Sequence, residues 1–356
     1  MSLSNSSRSV IKKVLAVETS EVRSPSNSVS ALLPLTAGAG ARVRRSIGSM
    51  NLRNLTPFLM LDHFHVAQGA GFPDHPHRGQ ATVTYMLEGS SRHEDSAGHA
   101  GTIETGGVQW MCAVRFPYLP LRLTFHSHSP GTCVDVQGKG IIHAEMPVHA
   151  PGVPEPRGLQ LWVDLPKQFK MVEPSYQELG PEGIPTAYPT GPDGQVTVKV
   201  ISGKSHGVES PVRPLGGCWF FHVTMKKSGA SMFQEIREST PYVFSDIHGA
   251  LSLELTNKRF PVWKGAVSIG NNGPVHDSFH TLVLSNEKGE TGIQLTAAQD
   301  DTQFAVIAGA PLDQTVFQYG PFVMTTRDEI QQTLLDYQFG RNGFEKAHTW
   351  KSKIGN

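Results

Sequence analysis

The stretch GFPDHPHRGQATVTYMLEG, residues 71–89, is the part of the chain whose reading decides both fold and chemistry. Its second half alternates apolar and polar residues as a β-strand does, and it ends on a glycine suited to a turn. His75 and His77 stand two apart just ahead of that run, so on an extended backbone their imidazoles project from one face. Such a pair is half of a metal site if further ligands lie elsewhere, and merely solvated if they do not.

The segment GIIHAEMP, residues 140–147, offers the other half: His143 and Glu145 share one face of an extended chain, Ile142 and Ala144 the other. Three imidazoles and a carboxylate inside a small barrel suit a divalent first-row metal. Imidazole suits iron, copper, nickel or zinc, and the carboxylate adds charge that suits iron or manganese. A barrel of about eight strands leaves room for a metal and one small ligand. The H-x-H pattern also occurs as His63/His65 in LDHFHVAQG and as His126/His128 in TFHSHSPGT, with Cys133 nearby. The rigid Pro76 and the strong strand that follows favour His75/His77, while a surface position is expected for His63 and His65. Spacing by itself leaves the choice among the three pairs open.

The 356-residue chain holds 36 glycines and 25 prolines, and 38% of its residues are hydrophobic. That is rich in turn formers and poor in long helical runs, so many short strands in two domains are expected. Lys+Arg and Asp+Glu both number 31, a formal net charge of +0. A chain without a net field is not built to hold a polyanion, which argues against direct nucleic-acid binding. Cys112, Cys133 and Cys218 are scattered, define no disulfide framework and fit a reducing compartment. No run approaches the roughly 18 apolar residues of a membrane span.

Residues 1–38 are Ser-rich without a sustained period and are expected to form a flexible arm. Short strands and tight turns then fill a first barrel domain, 39–178. The Pro/Gly-dense LGPEGIPTAYPTGPDG (179–194) places a linker over 179–195. The same grammar returns over 196–356, where PYVFSDIHGALSLEL (241–255) echoes the earlier strand, glycine turn and strand. This weak duplication of about 150 residues suggests two β-barrels of one type in tandem. Near the end, Thr326 and Glu329 form a capping-box pattern, Ile330, Leu334 and Tyr337 follow at helical spacing, and Gly340 and Gly343 stop the helix. This helix is expected to pack on a barrel.

The set FPDHPHRG, LEG, HEDSAGHAG, QWM, GIIHAEMP, LQLWVDLP, MVEPSYQE, QYGPFVM and the terminal NGFEKAHTWKSKIGN closely resembles the pirin family, from about residue 40 to residue 356. The resemblance implies an all-β bicupin: two tandem jelly-roll-type cupin β-barrels with a C-terminal α-helix. It implies one iron, Fe(II) or Fe(III), in the N-terminal barrel on His75, His77, His143 and Glu145, other divalent first-row metals being possible occupants. The second cupin is expected to lack a metal, and SMFQEIRESTPYVF (231–244) has no histidine where a ligand pair would sit.

Pirins resemble quercetin 2,3-dioxygenases, so the implied reaction opens a flavonol ring with O2 and releases CO, with Glu145 as the catalytic base. The alternative implied by mammalian members is a nuclear transcriptional co-regulator that senses iron redox state and binds a transcription-factor or signalling protein partner. Nucleus and cytoplasm are the expected locations. Arg42, Arg44 and Arg45 are candidates for a basic edge facing an acidic partner, or for a solvated strand face. The chain departs from the family at residues 114–137, between the QWM strand and HAE. The codons available to Val114-Arg115 and Gln137-Gly138 match the borders of a spliced intron, and the segment reads as an in-frame intron left unremoved from the coding sequence, or as a loop that perturbs His143 and Glu145.

Overall fold

The computed structural model describes residues 14–18, 20–23, 41–112, 140–172, 174–236, 248–253, 265–277, 280–284 and 291–355. The insert 114–137, the pair His126/His128 and Cys133 lie outside the described residues. The first half contains β1 (Val14–Glu18), β2 (Ser20–Arg23), β3 (Arg42–Arg45), β4 (Phe58–His65), β5 (Phe72–His77), β6 (Gln80–Glu88), β7 (Ser90–Asp95), β8 (Ala100–Glu104), β9 (Val108–Cys112), β10 (Ile141–Pro147), β11 (Arg157–Asp164) and β12 (Ser175–Leu179). Among the described residues, seven of these form one sheet in the order β12-β9-β6-β11-β4-β3-β2, and four form the sheet facing it, β5-β10-β7-β8. The second half repeats the plan with a seven-stranded and a four-stranded sheet. The protein is therefore mostly β with two sheet pairs in tandem, as its turn-rich composition and weak duplication predicted and as the family resemblance implied.

Alternation explains how the two barrels join. On the large sheet of the first barrel, Leu61, Val83, Tyr85, Trp110, Leu159 and Leu161 point one way and meet Ile201, Phe220, Ala305 and Ile307 of the second barrel in one buried cluster. The apolar faces of the two large sheets thus pack back to back, as sandwiched sheets do. A polar bridge crosses this seam: the Tyr85 hydroxyl lies 3.0 Å from His222 Nδ1, and His222 Nε2 lies 3.1 Å from Gln303 Oε1. The amide oxygen can only accept, so Nε2 carries the proton and Tyr85 donates to Nδ1. Among the described residues, the interior of the second barrel is mostly apolar, with Val198, Phe221, Leu295 and Phe304 in its core. That of the first barrel is divided, apolar around Val43, Phe64, Met86 and Ile103 and polar around His75, His77 and His143.

Three expectations need correction. Residues 14–18 and 20–23, expected within a flexible arm, are strands: β1 pairs with His280–Leu284 of the second barrel and β2 with β3 of the first. An exposed sheet edge offers unpaired amides and carbonyls to any short extended run, and that edge is created only by the fold. Within the expected linker 179–195, Thr186–Ala187 is an edge strand on Val196–Ser202. The assignment of 196–356 to the second barrel also fails at its end, because residues 321–355 return to the first. There the strand Phe322–Met324 lies against the turn after β5, where Arg78 N donates to Pro321 O and Val323 N donates to Arg78 O. Gly79 permits this approach: it sits at φ 79° and a Cβ there would fall 1.9 Å from the Val323 carbonyl oxygen.

The helix α1 (Arg327–Phe339) begins at the capping box read from the sequence, Glu329 N donating to Thr326 Oγ1 and Thr326 N donating to the Glu329 carboxylate. Gly340 closes it in the left-handed conformation. The helix and the tail after it grip the first barrel. Arg78, fully buried, donates to Asp336 Oδ2 (2.9 Å), Thr333 Oγ1 (3.2 Å) and Asn342 O (2.5 Å), and its guanidinium lies 4.5 Å above the Phe344 ring. Further along, Lys346 donates to Ser96 O, Ser352 N to Asp74 and Lys353 N to Glu94. Among the described residues, no helix is long and apolar enough to cross a membrane.

Candidate metal centre

The four-stranded sheet supplies the imidazoles. On β5 the face shared by His75 and His77 turns into the barrel, and on β10 His143 does the same. His143 stands directly across from His75 in the β5–β10 ladder, and the next match is Glu145 with Phe72, so β5 carries an extra residue between Phe72 and His75. Such a bulge re-aims the side chains beside it. One consequence is that His75 Nδ1 reaches back to Pro73 O at 2.8 Å. A carbonyl only accepts, so Nδ1 carries the proton and Nε2 keeps a bare lone pair for the interior.

His75, His77 and His143 come together, buried, with ligand nitrogens all within 4.8 Å of one another. His75 Nε2 and His143 Nε2 are 2.9 Å apart. Two nitrogens each about 2.1 Å from one ion, at right angles, are separated by about 3.0 Å, so this spacing is what adjacent ligands of a single metal require. Burial, and for His77 the neighbouring His75, pushes the imidazoles of His77 and His143 well below the ordinary histidine range, and His75 moves the same way. Neutral imidazole is the ligating form. The donor set thus fits a divalent first-row metal.

Glu145 is on the same strand face but is not one of the three that close into the compact group. Its Oε1 accepts from Thr84 Oγ1 at 2.8 Å, and Thr84 Oγ1 is also 2.6 Å from Gln160 Oε1. Thr84 belongs to a polar row across the inner face of the large sheet. The ladders align Gln109, Thr84, Gln160, Asp62 and Arg45 in register, ending in the two-pronged Arg45–Asp62 ion pair at 2.8 and 2.7 Å. A second row of Thr82, Trp162 and Met60 lies beside it. A cavity of about 20 Å3, room for one or two waters, opens between the sheets against His75, His77, Glu145, Gln160 and Trp162.

Other sequence candidates fall differently. Arg42, Arg44 and Arg45 form no sheet edge, because β3 lies between β2 and β4, and Arg45 is committed to Asp62. His63 and His65 are half-buried on β4, and His65 bonds the exposed Glu155 at 2.6 Å. The sequence reading missed Gln80, Thr84 and Gln160, whose only local signal was polar residues at alternate positions of an otherwise apolar run.

The family profile described as Pirin matches residues 40–115, and that of the Pirin C-terminal cupin domain matches residues 249–343. A pirin-like protein of Solanum lycopersicum is 40% identical over 348 residues, 97% of either chain. The chain belongs to the pirin family. Human pirin is 40% identical over 324 residues, 90% of this chain and 94% of that one. Among solved structures, a quercetin 2,3-dioxygenase from Acinetobacter baumannii is similar with a TM-score of 0.68 and 25% identity, covering 94% of this chain and 99% of that one. In this pirin the imidazole group falls in the first cupin, and His75 and His77 lie inside the matched segment 40–115.

Proposed function

We propose that this pirin is a metal-dependent dioxygenase of the quercetin 2,3-dioxygenase type, opening a flavonol ring with O2 and releasing CO. His75, His77, His143 and Glu145 would hold one iron per chain. The observation that carries the reading is the buried, neutral imidazole trio with a carboxylate on the same strand face, opening on a cavity. When bound, iron supplies Lewis acidity toward the flavonol 3-oxygen and one-electron chemistry toward dioxygen.

The chain's own residues hold and move the proton. Glu145 is the base for the flavonol 3-hydroxyl. Thr84 has one hydrogen for two neighbouring oxygens, so it bonds Glu145 when Gln160 presents its amide NH2 to the Thr84 oxygen. When Glu145 is protonated it donates to Thr84, whose hydrogen then turns to Gln160 Oε1. The Thr84–Gln160 pair therefore supports both protonation states of Glu145. Phe64, Met60 and Trp162 keep the surroundings apolar. A flavonol is larger than the cavity of about 20 Å3, so its binding would need the lining to open.

The likeness to human pirin favours a second reading as well: an iron redox sensor whose oxidation state alters the surface offered to a protein partner, acting in nucleus and cytoplasm. One experiment separates them. Protein loaded with Fe(II) is mixed with quercetin, and oxygen uptake and CO are followed. Stoichiometric CO supports the enzyme. Bound iron without turnover, together with partner binding that differs between ferric and ferrous protein, supports the sensor. Full metal content in a His75→Ala/His77→Ala double variant refutes the ligand assignment for both.

A further inference from the structure

Strand β6 is buried on both faces from Gln80 to Met86, and the first three of its inward positions are polar, Gln80, Thr82 and Thr84, before the apolar Met86. Thr84 holds Glu145. At the other end of the stripe, Gln80 Nε2 lies 2.8 Å from His77 Nδ1. Gln80 is 1% exposed, and its Oε1 is buried with no hydrogen-bond partner among the described residues. A buried amide with half its capacity unused is uncommon enough to need a reason.

The chemistry of imidazole gives one. A neutral ring has one N–H. With Gln80 donating through Nε2, His77 Nδ1 must accept, which puts the ring hydrogen on Nε2. The ring hydrogen then occupies the nitrogen needed for a ligand, since Nδ1 is already engaged by Gln80. A half-turn of the Gln80 amide reverses this: Oε1 accepts from Nδ1–H and Nε2 becomes a bare lone pair. The turn gives the idle oxygen a partner and takes the amide NH2 off the ring, so each orientation pairs one side of the amide with one tautomer of the ring. His75 needs no such device, because Pro73 O fixes its tautomer through the backbone.

We infer that Gln80 is a positioning residue that sets the tautomer of His77, its amide turning over when metal enters. The inference rests on the metal reading of the imidazole trio. Because an amide accepts as readily as it donates, Gln80 stabilises both the empty and the loaded tautomer, whereas an apolar residue would stabilise neither and a carboxylate only the loaded one.

The test uses the full chain with imidazole-15N histidine, metal-free and with Zn2+, which is diamagnetic and reports binding without turnover. The ring nitrogen shifts of His77 give its tautomer, and chelator competition gives Zn2+ affinity. In the native chain the His77 proton is expected on Nε2 without metal and on Nδ1 with Zn2+. Gln80→Leu should bind Zn2+ some 10- to 100-fold more weakly, the usual loss when an outer partner of a ligating histidine is removed. Gln80→Glu should keep affinity within a few-fold and show the proton on Nδ1 before metal is added, a signature that a merely structural role would not produce. Unchanged affinity in Gln80→Leu, or a bare Nδ1 in Zn2+-loaded native protein, overturns the role of Gln80 while leaving the metal site intact. A native chain that binds no Zn2+ overturns the metal reading itself and this inference with it.

Discussion

Replacing Arg78 by Met should undock the C-terminal helix from the first barrel. Arg78 and Asp336 form an ion pair with side chains 1% and 2% exposed. Removing one member of a buried pair costs about 3–5 kcal/mol, because the other charge is left without its partner in a poor solvent. Asp336 keeps the Gln332 and Asn342 amides, at 2.9 and 2.8 Å, which puts the loss near the low end, about 3 kcal/mol. Losing the guanidinium from above Phe344 adds about 1 kcal/mol. A local cost of about 4 kcal/mol is close to three decades in an opening equilibrium. Hydrogen exchange of the α1 amides, read by mass spectrometry, should therefore quicken about a thousandfold up to the limit set by complete local opening. Removing both charges, Arg78→Met with Asp336→Leu, should recover most of the protection, since Gln332 and Asn342 are exposed and can turn to water. Helix exchange unchanged in Arg78→Met, or a double variant no better protected than the single, would refute the argument that this buried pair docks the tail.

Other consequences follow from the same geometry. Thr84→Val removes the donor that holds Glu145 and should weaken metal binding about 10- to 100-fold in chelator competition; native affinity in that variant would show that Thr84 does not orient the carboxylate. Tyr85→Phe strips the donor from His222 Nδ1 at the barrel seam and should cost about 1–3 kcal/mol in urea unfolding, with a change under about 0.5 counting against the bridge. The stability of the metal-free protein should fall as pH drops from about 6.5 toward 4. Burial holds His77 and His143 well below the ordinary range and lowers His222 to about 4, so in that window the unfolded chain binds protons that the folded one refuses. This stability is complete above the unfolded value and is lost on acidification; a urea midpoint flat across that window would contradict it.

Much of the centre was legible because its signals are local. A strand's period of two tells that His75 goes with His77 and His143 with Glu145 without any coordinates, and a capping box is written within four residues. The facing of a strand is a different matter. Along QATVT the alternation divides Gln80, Thr82 and Thr84 from Ala81 and Val83 but does not say which set is interior. In most barrels the apolar set fills the inside. In this one it lies outside, because a second barrel covers it, and the polar set is left to surround the imidazoles. Glu145 illustrates the same limit: its face was readable, whereas its attachment to Thr84, sixty-one positions away, was not.

The sequence by itself determined the fold class, the tandem plan, the helix with its caps and the pairing of the four candidate donors by face. Apart from the tandem plan, which rests on the weak internal duplication, those depend on neighbours a few residues apart. Only the tertiary structure decided that residues 14–18 and 20–23 complete one sheet in each barrel, that the tail grips the barrel it does not follow in sequence, and that Gln80 meets His77 across a turn. Those choices are made by sheet edges, ladder registers and buried partners that exist only once distant segments have packed, and burial sets the protonation of the imidazoles as well.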